Sequence, residues 1–186
     1  MPAPAPAPPG QRLAHPLAAN DLLMYRLNRL LAVAGSLVVR LCEGGFGITR
    51  REWRMIGLLA TKGAMQPSGL AELAQLDRTR TSRTISTLIA KGLLHKQGMA
   101  GDGRQAMVQL TDAGLALHTQ LFPQIQAINQ ELLGDVSDAE LQVLSQVFER
   151  VRNRAARMQE QGSFPKAERR RGRAAGKQPA RDDAAG

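Results

Sequence analysis

The stretch that most constrains this chain is residues 68–110, SGLAELAQLDRTRTSRTISTLIAKGLLHKQGMAGDGRQAMVQL. Its spacing predicts a short helix, a tight turn, a longer helix and a hairpin. In residues 68–76, Leu70, Leu73 and Leu76 recur so as to line one helical face. Ser68 offers a hydroxyl to the orphan amides of the first turn. After an Asp77-Arg78 turn, Ile85, Leu88 and Ile89 form an apolar stripe, while Arg80, Thr81, Ser82, Arg83, Thr84 and Ser86 crowd the first turns. Gly92 supplies a left-handed cap that ends this second helix. Residues 93–97 and 106–110 then pair as short strands around a Gly-rich tip, Gly101-Asp102-Gly103-Arg104.

A helix that starts with Arg, Thr and Ser and turns apolar towards its end suits a DNA major groove. Guanidinia and hydroxyls reach phosphates and base edges while the stripe anchors the helix. For a lone helix, a solvated polar face is the better reading. The hairpin shifts the balance, because an Arg on a Gly-rich tip beside two such helices is placed to enter a minor groove.

The segment LAELAQLDRTRTSRTISTLIAKGLL, followed by DGRQAMVQLTDAG, resembles the winged helix-turn-helix of the multiple-antibiotic-resistance regulator (MarR) family. The resemblance rests on Asp102 and Arg104 in the wing, then Leu110, Thr111 and Gly114 opening the next helix. It extends more loosely over about residues 20–160. It implies a mainly α fold with a short β-hairpin wing: a winged helix-turn-helix core plus N- and C-terminal dimerisation helices. By that resemblance Arg80, Thr81, Ser82, Arg83 and Arg104 read DNA. Arg78, Thr79 and Lys96 are better placed for phosphates, and Asp102 orients Arg104, since phosphate would repel a carboxylate.

Composition agrees with a polyanionic partner. The net charge is +9, and residues 78–104 hold six basic residues against one acid. The last 21 residues, 166–186, carry seven Lys/Arg and three Asp/Glu. A length of 186 residues suits one domain. No run approaches the ~18 apolar residues of a membrane span, and MPAPAPAPPGQR lacks the features of a signal peptide. Cys42 is the only cysteine, which fits a reducing cytoplasm.

The expected organisation is a disordered Pro/Ala-rich tail over 1–16, a domain over 17–164, and a disordered basic tail over 165–186. Within the domain, 17–48 and 111–164 are dimerisation helices and 49–110 is the DNA-binding lobe. Thr49-Arg50-Arg51-Glu52 and Ser137-Asp138-Ala139-Glu140 read as capping boxes. Gly44-Gly45-Phe46-Gly47 should break the first long helix, and Pro123 should kink or break the helix that Thr111 caps. The long terminal helices are too apolar for a small winged core, so burial against a second copy is expected. The resemblance implies a two-fold homodimer with recognition helices about 34 Å apart, on a palindromic operator in double-stranded DNA.

Candidate chemistry elsewhere is thin. His15, His95, His118 and Cys42 lie on separate elements, without metal-ligand spacing. Cys42 has Glu43 rather than a cation beside it, which disfavours a redox thiolate. Lys91 reads as a solvated cation. No nucleophile–base–acid set or phosphate-binding Gly loop can be named, so neither catalysis nor a cofactor is expected. The resemblance implies a small aromatic acid effector, benzoate- or nicotinate-like, or a phenol. It would sit between the terminal helices and the winged lobe, and His15, Tyr25, Arg26, Trp53 and Arg54 are the candidates to line that crevice. The expectation is a ligand-released repressor. The rivals are a nonspecific architectural DNA-binding protein, a cysteine-based redox regulator and a winged protein–protein module.

Overall fold

The helix-turn-helix and hairpin form as expected, with shifted edges. In the computed structural model, residues 9–99 and 102–162 are described, with side chains over 10–98 and 106–162. The order is α1 (Pro9–Ala14), α2 (Leu23–Arg40), α3 (Arg50–Lys62), α4 (Pro67–Leu73), α5 (Arg78–Ala90), β1 (Leu94–Met99), β2 (Asp102–Leu110), α6 (Asp112–Leu132) and α7 (Asp138–Glu160). It is the mainly α architecture with a two-stranded antiparallel sheet, β1 beside β2. The chain divides into two compact units between Asp135 and Val136. Among the described residues no single helix is long and apolar enough to cross a membrane.

Short-range hydrogen bonds set most helix starts. Thr49 Oγ1 accepts from the Glu52 amide at 3.2 Å, and the Glu52 carboxylate accepts from the Thr49 amide at 2.6 Å. Ser137 and Glu140 repeat this reciprocal box before α7. For α4 the start differs from expectation: Gln66 is the cap residue and Pro67 opens the helix, because proline's fixed φ and missing N–H suit a first turn. Ser68 therefore lies inside the helix. Residues 9–14, expected to be disordered, form α1, while 1–8 and 163–186, with the expected basic tail, lie outside the described residues.

The first long helix begins at Leu23 rather than near residue 17. Asp21 takes the Leu17 and Ala18 amides, both at 3.1 Å, and holds the preceding segment in a turn. At its far end α2 passes into one π-helical turn, Leu41–Gly45, so Gly44 and Gly45 widen the helix before Phe46 ends it. α6 runs unbroken through Pro123.

The core of the first unit gathers Cys42, Ile48, Met55, Ile56, Leu59, Leu70, Ile85, Leu88, Leu94, Val108 and Leu121. The hairpin joins it in a register that sets Leu94 opposite Leu110 and Gly98 opposite Ala106. Met65 adds a bridge to Val108, with N–H···O distances of 3.0 and 2.8 Å. Behind the hairpin the Thr111/Gly114 pair locks the wing to α6. Thr111 Oγ1 donates to the Gly92 carbonyl at 2.7 Å and accepts from the Gly114 amide at 3.1 Å. A Cβ on Gly114 would lie 2.2 Å from the Leu93 carbonyl oxygen, so only glycine fits. Gly92 has φ +69°, the left-handed cap expected of it.

Not all apolar surface is covered. On α2, Met24, Leu30, Leu31, Val33 and Leu37 are exposed, and α7 has no buried residue although it carries Val143, Leu144, Val147, Phe148 and Val151.

Candidate nucleic-acid interface

Asp77 caps α5 by accepting from the Arg80 amide at 2.8 Å. The helix is anchored through Thr81, Thr84, Ile85 and Leu88, all buried. At 100° per residue, the positions most nearly opposite that face are Thr79, Arg83 and Ser86, all exposed. Ser82 lies on one flank, and Arg80 and Thr87 on the other. Arg80 leans back towards Asp77 at 3.4 Å. Arg78 is exposed at the first residue of α5, and Lys96 is exposed on β1.

Thr81 is a correction. It is 1% exposed, and its hydroxyl has no hydrogen-bond partner among the described residues. It faces the core, so its hydroxyl does not reach a base edge. Ser86 was missing from the expected DNA-facing set, and its spacing of seven from Thr79 was the available signal. The backbone of Asp102 and Arg104 lies in β2, as a wing requires, but their side chains are outside those described.

Lys91, expected to be solvated, is instead a tie. Its Nζ donates to the Gly47 carbonyl and to Glu52 Oε2, each at 2.9 Å. Glu52 is 3% exposed. Burial opposes its charge, but the Thr49 amide and Lys91 outweigh that and hold its carboxyl below the usual range. The end of α5 is thus pinned to the start of α3.

A second feature is a cavity of about 380 Å³ lined by Leu31, Ala34, Gly35, Val38, Arg50, Trp53, Arg54 and Leu132. Of the five expected crevice residues, only Trp53 and Arg54 line it. His15 and Tyr25 are exposed elsewhere, and Arg26 is held by the Asn20 carbonyl at 3.1 Å and Asp21 at 3.7 Å. Arg54 is itself partly committed, donating to the Ala74 carbonyl at 3.0 Å. Arg50 is the residue the sequence pattern did not reveal. Its guanidinium lies 2.8 Å from where a Cβ on buried Gly35 would sit, so glycine opens space for it over α2.

Trp53 also stacks on His118 at 5.3 Å, and His118 stacks on Phe122 at 5.3 Å. Burial lowers the His118 pKa, so a neutral ring joins α6 to α3. The i, i+4 spacing of His118 and Phe122 was the clue to their shared face. Cys42 is fully buried, and burial pushes its thiol up, helped by Glu43 and opposed by Arg50. A shielded, protonated thiol gives the redox alternative no support. Among the described residues no three His, Cys, Asp or Glu side chains gather as a metal site.

The comparisons with known proteins converge on this geometry. A model of the MarR family matches residues 46–105, which span α3, the helix-turn-helix and most of the hairpin. The chain is 26% identical over 131 residues to the uncharacterized HTH-type transcriptional regulator YdgJ of Bacillus subtilis (strain 168), covering 70% of this chain and 77% of that one. Over α3, the helix-turn-helix and most of the hairpin the chain is similar to the MarR family. Its fold matches the PcaV transcriptional regulator from Streptomyces coelicolor, crystallised with its natural ligand. That match has a TM-score of 0.61 and 26% identity, over 77% of this chain and 96% of that one. It also matches Bordetella bronchiseptica BpsR, whose structure addresses regulation of DNA binding by 6-hydroxynicotinic acid. Here the TM-score is 0.65 at 20% identity, over 73% of this chain and 96% of that one. Members of the MarR family are transcriptional regulators rather than enzymes.

Proposed function

We propose that this MarR-like chain is a homodimeric, cytoplasmic repressor. It reads an inverted-repeat operator and leaves it when a small aromatic acid occupies the cavity beside Trp53. The observation that carries the DNA half is the α5 surface, which sets Thr79, Arg83 and Ser86 outward on a helix whose opposite side is locked into the core. Arg83 is the base-reading candidate, with Thr79, Ser82 and Ser86 around it. Arg78, Arg80 and Lys96 take phosphates, and Arg104, steadied by Asp102, enters the minor groove. A second copy covers the exposed apolar faces of α2 and α7, and two-fold symmetry sets the half-sites about one helical turn apart.

The ligand half rests on the cavity's chemistry. Its volume of about 380 Å³ suits a small ring compound. Trp53 offers a stacking face, and the Arg50 guanidinium, with no carboxylate partner among the described residues, suits an anionic group. Relatives point the same way: PcaV was crystallised with its natural ligand, and 6-hydroxynicotinic acid regulates DNA binding by BpsR. Binding that favours a differently spaced dimer withdraws the protein from DNA. To reverse a preference of about 99:1 it must discriminate the two forms ~10⁴-fold.

The test is selection from a random DNA pool at ~150 mM salt, a concentration at which nonspecific binding is weakened. It is followed by titration of benzoates and nicotinates against the selected site. An enriched inverted repeat, released by one of the acids, is the expected result. Tight binding at low salt with no enriched sequence would replace this reading with an architectural, nonspecific one.

A further inference from the structure

Arg51 follows Arg50 at the start of α3 but lines a different depression. This second cleft, about 330 Å³, lies between the start of α3, with Thr49, Arg51 and Glu52, and α5, with Arg80, Arg83 and Thr87. Thr84 also lines it, and three of the seven side chains are cations and one is an acid. The acid is already committed, since Glu52 accepts from the Thr49 amide at 2.6 Å and from Lys91 at 2.9 Å. Among the described residues neither Arg51 nor Arg83 has a carboxylate partner. Arg80 has Asp77 at 3.4 Å, and Glu52 is neutralised by Lys91. The uncompensated charge at the cleft is therefore that of Arg51 and Arg83, which attracts an anion.

The position of the cleft on α5 identifies that anion. Thr79, Arg83 and Ser86 point directly away from the core, whereas Arg80 and Thr87 lie on the flank that meets α3. With the outward stripe in a major groove, the flank meets the groove's edge, where the phosphodiester backbone runs. We propose that this cleft receives a backbone phosphate of the bound DNA and that Arg51, outside the helix-turn-helix, binds it together with Arg80. The proposal rests on the reading that α5 enters the groove. One turn of α3 then touches both ligands of the regulator, Arg50 in the aromatic-acid cavity and Arg51 on DNA.

The experiment measures affinity of the full-length protein for its selected operator and for scrambled DNA across a salt series, in wild type, Arg51→Ala, Arg51→Lys and Arg83→Ala. Arg51 is exposed, and far-UV circular dichroism checks that each variant folds. Arg51→Ala should weaken both DNAs in the same proportion and make the slope of log K against log salt shallower by about 0.9 for each phosphate the variant leaves unneutralised. Arg51→Lys should restore most of the slope, whereas Arg83→Ala should reduce the operator-to-scrambled ratio. A wild-type slope in Arg51→Ala, or a changed sequence ratio, overturns the phosphate assignment while leaving operator binding intact. Wild-type protein that binds neither DNA overturns the groove reading and this inference together.

Discussion

The winged lobe and the long terminal helices use similar residues to opposite effect. In the lobe, Leu70, Ile85, Leu88 and Val108 are closed off completely, and each lies on an element too short to be stable alone. In α2 and α7, the longer helices, Leu30, Val33, Val147 and Phe148 stand open to solvent. The lobe completes its core within one chain, so it can serve as a rigid reader. The terminal helices do not, and an exposed apolar helix face of that kind marks an interaction site. A chain built this way keeps its winged lobe closed and leaves the apolar faces of its long helices open.

The largest test of that contrast is Leu88→Ala, on the closed side. It should cost about 2–5 kcal/mol, read as a fall in the denaturation midpoint that is independent of protein concentration. A cost under about 1 kcal/mol, well below the range for a closed core, would mean that the lobe is open at this point.

A middle-sized effect is expected at the tie between the two helices of the lobe. Lys91→Met strands the Glu52 carboxylate, which should cost about 1–3 kcal/mol at neutral pH. Because Glu52 titrates below its ordinary value of 4.5, its stabilisation is present above that value and is lost as pH falls through the lower, folded-state pKa. The variant raises the folded-state pKa, so its acid unfolding should begin at higher pH than that of wild type. Identical acid profiles would show that Lys91 does not hold the carboxylate.

The smallest effect should come from the open side. Val33→Ser, at a residue 74% exposed, should change the stability of the isolated chain by less than about 0.5 kcal/mol. The dimer's stability and its dissociation constant should instead worsen in a concentration-dependent way. A large, concentration-independent loss would mean that α2 belongs to a closed core after all.

Much of the fold was legible because its signals are short-ranged. The box of Thr49 and Glu52, the left-handed Gly92 and the Thr111/Gly114 lock all work within three residues or through one forced φ. The misreadings have a common cause. The leucine spacing puts Leu73 on the buried face of its helix with Leu70, yet it is 49% exposed while Ala74 is buried. Polar neighbours put Thr81 outward, yet it is anchored in the core. In each case composition identifies a helix but not its rotation, and one residue of phase is 100° of azimuth.

Residue order alone therefore determined the helix-turn-helix, the hairpin, most caps and the concentration of positive charge around α5, because each depends on neighbours a few bonds away. Only the tertiary structure decided that Lys91 binds Glu52 across 39 positions, that Gly35 makes room for Arg50, and that Arg50 and Arg51 serve different clefts. These pairings join distant segments, and a side chain's direction is set by which elements compete for the same buried side. No local pattern records that competition; the packed chain resolves it.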